Sequence, residues 1–192
     1  MQKLNWLLLV AVLALGCSMG CQQANSAAAG QDAESPKVFF SMEQFIAAEV
    51  ARLQAEGLTL EKQIRYNGAE EVKTVSNIDF EEELSLFRRA DINKPAWVDL
   101  YKADTTLVNG QMSKVRYQTV DPELEVKTLE VEWDAAGAVS TILIERKNSS
   151  TLATNEYDLS YWPAKGYEIE TNQQNKAADP IHIQITGNFK RP

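Results

Sequence analysis

Leu129-Glu130-Val131-Glu132-Trp133, then Asp134-Ala135-Ala136-Gly137, then Thr141-Ile142-Leu143-Ile144 is the stretch that decides the fold. Its first five residues alternate apolar and acidic, as a strand does when one face is buried and the other is wet. Asp134 to Gly137 has the composition of a turn. Thr141 to Ile144 is apolar at consecutive positions, which predicts a strand covered on both faces. The alternation recurs outward from there: Val115/Tyr117 before it, then Tyr157/Leu159/Tyr161, Tyr167/Ile169 and Ile181/Ile183/Ile185 after it. Turn signals separate these runs at Asp121-Pro122, Asn148 to Ser150, Pro163 to Gly166 and Asn172 to Pro180. About six short strands joined by short turns predict an antiparallel meander from Met112 onward.

Upstream of the meander the period changes. Ser41 and Gln44 form a capping box, Phe40 can staple onto Phe45, and Met42, Phe45, Ile46, Val50 and Leu53 recur at helical spacing. Gly57 suits the end of that helix. Leu60 to Tyr66 and Glu70 to Val75 flank Asn67-Gly68, a dipeptide favoured in type I′ hairpin turns. Asp79 and Glu82 then begin a second helix, with Phe80, Leu84 and Phe87 on one face, and Pro95 closes the section. The fold class expected is α+β: an antiparallel meander forming a curved sheet or partial barrel, with two N-terminal helices packed on it.

The chain has 192 residues, a single-domain length, with 44% hydrophobic and 24% charged residues. Nineteen Lys and Arg against 27 Asp and Glu give a formal charge of -8, which would repel a phosphate backbone; nucleic-acid binding is disfavoured. Both cysteines, Cys17 and Cys21, lie near the N-terminus. Lys3 followed by the apolar run Trp6 to Leu15 is a signal peptide, because ten residues are too few to span a bilayer, which takes about 20.

Ala14-Leu15-Gly16-Cys17 resembles a bacterial lipobox. That resemblance implies cleavage before Cys17 and acylation of Cys17 by diacylglycerol and a further chain such as palmitate. Cys21, after Ser18-Met19-Gly20, is the alternative site. The divisions expected are residues 1–16 as signal peptide, 17–37 as lipidated cysteine and flexible tether, and 38–192 as one α+β domain. A Gln-, Ala- and Ser-rich tether of this length has a root-mean-square reach of about 25 Å.

Catalytic signals are sparse. His182 is the single imidazole, between Ile181 and Ile183, and reads as a surface or edge-of-core residue. Zinc ligands at the usual spacings are missing from the sequence, as are a nucleophile elbow, a phosphate loop and a calcium loop; no metal and no cofactor are expected. Glu81-Glu82-Glu83 falls in a first helical turn, where negative charge complements the helix dipole. Asp99 and Asp104 are isolated. Trp97, Trp133 and Trp162, with Tyr101, Tyr157, Tyr161 and Tyr167, would either line a cleft for an acyl chain or glycan, or pack under the helices. Asn148-Ser149-Ser150 matches an N-glycosylation acceptor, and Asp104-Thr105-Thr106 resembles an O-glycosylation sequon of Bacteroidota, with Thr105 as its acceptor.

Ile78-Asp79-Phe80, Glu83-Leu84, Phe87 and Ala90 to Trp97, with Gly187-Asn188-Phe189, resemble a set of uncharacterised lipoproteins from Bacteroidota. The resemblance implies an outer-membrane anchor with the domain facing the periplasm, and supplies no activity. The expected function is therefore a non-enzymatic envelope lipoprotein that binds a partner protein. The alternative is an apolar-ligand binder resembling the half-barrel lipoprotein carriers of the periplasm. An enzyme working through carboxylates comes third.

Overall fold

The structure is a computed structural model that describes residues 39–163 and 165–191. Cys17, Cys21 and the tether lie outside the described residues. Helix α1 spans Met42–Glu56. Ser41 caps it by accepting from the Gln44 amide, Gly57 ends it at φ 60°, and the Phe40 and Phe45 rings lie 5.6 Å apart. These are the cap, stop and staple read from the sequence.

Nine antiparallel strands follow: β1 (Thr59–Tyr66), β2 (Ala69–Val75), β3 (Tyr101–Val108), β4 (Gln111–Thr119), β5 (Val126–Trp133), β6 (Val139–Ser149), β7 (Ala153–Trp162), β8 (Gly166–Asn175) and β9 (Ile181–Lys190). Their order is β2-β1-β9-β8-β7-β6-β5-β4-β3, a meander to which the β1–β2 hairpin is joined along β9. The sheet does not close, and β2 and β3 are its edges. Register places Tyr117, Leu129, Ile144, Leu159, Ile169 and Ile185 in one cross-strand row. Fully burying an aliphatic side chain contributes about 1.5–3 kcal/mol, so this row and its neighbours make the core.

Four expectations need correction. The second helix is broken: α2 (Phe80–Glu83) and α3 (Ser85–Arg88) are single turns separated at Leu84, where φ is -98° and ψ 10°. A helix this short relies on packing rather than propensity. The break lets Phe80, Leu84 and Phe87 all bury while the Glu83 carboxylate meets Lys62 Nζ at 2.7 Å. The meander has seven strands rather than six, because β3 shows no alternation: it is an edge strand, exposed after Tyr101.

Thr141 to Ile144 is not covered on both faces. Ile142 and Ile144 are buried under the helices, but Leu143 is 36% exposed. The turns placed at Asn148 and Asn172 begin later, because β6 runs to Ser149 and β8 to Asn175. There the ladder continues past the end of the apolar pattern, with polar side chains on both faces.

Candidate functional site

The helix-bearing face is filled. Tyr161 and Tyr167 are buried, and their rings pack with Phe45, Phe87 and Phe189 at centroid distances of 5.5–6.4 Å. Each phenol meets a helix carboxylate. Tyr161 donates to Glu49 at 2.7 Å, and Tyr167 donates to Glu83. Burial first, and the neighbouring carboxylate second, push both phenols well above the ordinary tyrosine range. Glu49 itself is only 8% exposed, and Arg52 grips it through Nε and Nη2 at 3.0 and 2.8 Å. Arg52 also donates to the Pro163 carbonyl at 2.6 Å, which ties α1 to the β7–β8 turn. These are charge-assisted bonds that hold helix to sheet; each charge already has its partner.

Among the described residues, the opposite face carries no helix. Strand alternation and register put Arg116, Glu130, Leu143, Ser160, Glu168 and Thr186 on it in one row. Gln118, Thr128, Glu145, Asp158, Glu170 and Gln184 form the next row. Burial, then Glu145, Glu170 and Glu156, raise the Asp158 carboxyl above its ordinary range.

A hollow of about 480 Å³ opens on this face between the Thr119–Lys127 segment and β4 to β6, lined in part by Arg116, Gln118, Lys127, Thr128, Glu145 and Lys147. A smaller one of about 210 Å³ adjoins it around Leu143, Asp158 and Ser160. Arg116 stands 3.5 Å from Glu130 and 3.8 Å from Glu145, and Lys147 holds Glu156 at 2.7 Å. The mixture of both charges and amides with the exposed aliphatic side chains of Val120 and Leu143 resembles the polar rim and small apolar centre of a protein interface. The sequence reading missed this face because it followed only the apolar member of each alternation; the intervening polar residues were the available signal.

The residues singled out from the sequence do not converge. His182 is exposed on β9, its Nδ1 2.8 Å from Asn172 Oδ1 and 3.8 Å from Glu170. No hydroxyl bonds its ring among the described residues. Glu81 pairs with Arg88, Glu82 is exposed, and Glu83 turns to Lys62 and Tyr167. Asp99 and Asp104 are exposed and apart. Tyr101 donates to the Val126 carbonyl at 2.7 Å, Trp97 lies under the Lys94 ammonium at 3.8 Å, and the Arg146 guanidinium lies 5.7 Å from the Tyr157 ring centre. Trp133 packs on Phe40, and Trp162 is half-buried at the end of β7. Asn148 is tied to Asn155 at 2.9 Å, and Thr105 is exposed on edge strand β3. Among the described residues, no group of three or more His, Cys, Asp or Glu could hold a metal ion, and no helix is long and apolar enough to cross a membrane. No protein family, curated protein or solved structure matches this chain.

Proposed function

We propose that this chain is a non-enzymatic lipoprotein of the cell envelope. Cys17 anchors it to the outer membrane, and its domain faces the periplasm and presents the helix-free face of the sheet to a partner protein. The observation that carries the reading is the contrast between the two faces. One is packed with aromatic side chains and helices, while the other is open, with Leu143 exposed beside a mixed-charge hollow. A module built this way offers a surface rather than an interior.

Two experiments test the two halves. Metabolic labelling with an alkynyl palmitate should mark the full chain and its Cys21→Ser variant but not Cys17→Ser. A photo-crosslinking residue at Leu143 should give a discrete adduct in cells, and one at Ala51, exposed on α1, should not. Equal products from both positions, or none from Leu143, would remove the partner reading. The alternative, a half-barrel that carries an apolar ligand, has less support because Tyr161, Tyr167 and Phe87 already occupy the helix-bearing face. Native mass spectrometry of protein purified without detergent would restore it if extra mass were lost on denaturation.

A further inference from the structure

The β3–β4 hairpin ends in Thr105 to Ser113 (TTLVNGQMS), nine residues without a charge in a chain that is 24% charged. Leu107, Val108 and Met112 project from it at 60%, 55% and 49% exposure. Asn109 and Gly110, both at positive φ, make its turn. Met112 also borders a hollow of about 430 Å³ with Trp133, at the neighbouring β5–β6 turn on the same end of the meander. The charge nearest that hollow, Asp134, is committed to its own turn, accepting from the Ala136 and Ala138 amides at 2.9 and 3.0 Å. Neutral loops with aliphatic side chains and an adjoining indole suit the boundary between headgroups and acyl chains. The rest of the chain is acidic and would be repelled by anionic lipid.

The described chain begins at Phe39, whose ring packs 5.9 Å from Tyr101 on β3 and 5.2 Å from Tyr117 on β4. The described chain thus enters at the base of this hairpin, the end of its strands away from Asn109 and Gly110. From Tyr101 to Val108 the strand runs about 23 Å at ~3.3 Å per residue, a span that an anchor at Cys17 on a tether of about 25 Å reach can bridge.

From this we infer that the β3–β4 tip, through Leu107, Val108 and Met112, contacts the lipid surface to which the chain is anchored, and so fixes which way the open face points. The inference rests on the anchored reading of Cys17. To test it, full-length lipidated protein in a Cys21→Ser background receives an environment-sensitive fluorophore at Val108→Cys or, as control, at Leu152→Cys. Leu152 is 76% exposed at the β6–β7 turn, the other end of the strands. Each is reconstituted into phosphatidylcholine vesicles containing lipids brominated along the chain.

The label at 108 should shift to the blue and be quenched about twofold or more, since such insertion reaches ~5–10 Å below the headgroups. The label at 152 should stay water-like. Co-flotation with water-like emission at both positions overturns the inference and leaves the anchor standing. Quenching at 152 instead of 108, or a blue shift at 108 without bromine quenching, which means protein covers the tip, overturns it as well. Failure to float removes the anchor reading and this inference with it.

Discussion

Tyr161 and Tyr167 hold their protons for the same reason they hold the helices: each is desolvated and donates to a helix carboxylate that is itself paired with a cation. Tyr101, buried and bonded to the Val126 carbonyl, is raised by desolvation as well. A phenol whose pKa is higher in the fold than in the unfolded chain contributes stability that is complete below the unfolded value, about 10. That contribution is lost as pH rises beyond it toward the folded value. Equilibrium urea unfolding should therefore give a flat midpoint from neutral pH up to about 9.5 and a falling one above it. Phenolate absorbance from these three residues should develop only with unfolding. Asp158 is shifted the same way with the opposite meaning, since burial first, and Glu145, Glu170 and Glu156 after it, make its charge costly in the fold. Its repulsion acts above the folded pKa and is relieved as pH falls. Asp158→Asn should raise the melting temperature at pH 7, and the part of the gain that comes from repulsion should shrink in high salt, where exposed charges are screened.

At the level of elements, β8 and β9 are locked by an aromatic ring lying on a glycine. Tyr167 faces Gly187 across the ladder, and a Cβ at Gly187 would come within 2.3 Å of the ring. The ring has no room to retreat, being buried and tied to Glu83. Gly187→Ala should cost about 1–3 kcal/mol or more, read from the shift in urea midpoint. Tyr167→Leu in the same chain should recover part of it, because the two positions couple through one contact. Neither partner looks unusual in the sequence, where Gly187 reads only as the end of a strand. Helix α1 and the Asn67-Gly68 hairpin were legible because their signals are local: a cap, a staple, a stop, and a turn that needs positive φ at both residues. The break at Leu84 was not legible, because it accompanies contacts of the preceding Glu83 side chain with Lys62 and Tyr167, residues 21 and 84 positions away. Strand β3 was hidden for a different reason. An edge strand with little to bury needs no alternation, so its sequence carries none. The candidate face fell between these cases: its residues lie at the expected parity, but polarity alone does not distinguish a binding surface from a wet one.

Across the whole sheet, protection should be graded. Strands β5 to β8 have a neighbour on each side and a buried row beneath them, whereas β2 and β3 each have one neighbour and mostly exposed side chains. Hydrogen exchange should open β2 and β3 first and β5 to β8 only with global unfolding. Slow exchange along β3 in vesicles, but not in detergent-free solution of an anchor-free variant, would fit a tip held by lipid. The pairing of β1 with β9 has a consequence in time. Thr59 and Lys190 meet across 131 positions, and β9 takes a place in the interior of the sheet between β1 and β8. A chain emerging from the ribosome or a translocation pore can form the α1 helix and the first hairpin, but the helix has no seat until β7 arrives and the hairpin none until β9 does. Contacts so distant in sequence make for slow folding, because a long loop must close before it is rewarded. Until then the polypeptide stays threadable, as the export we propose would require.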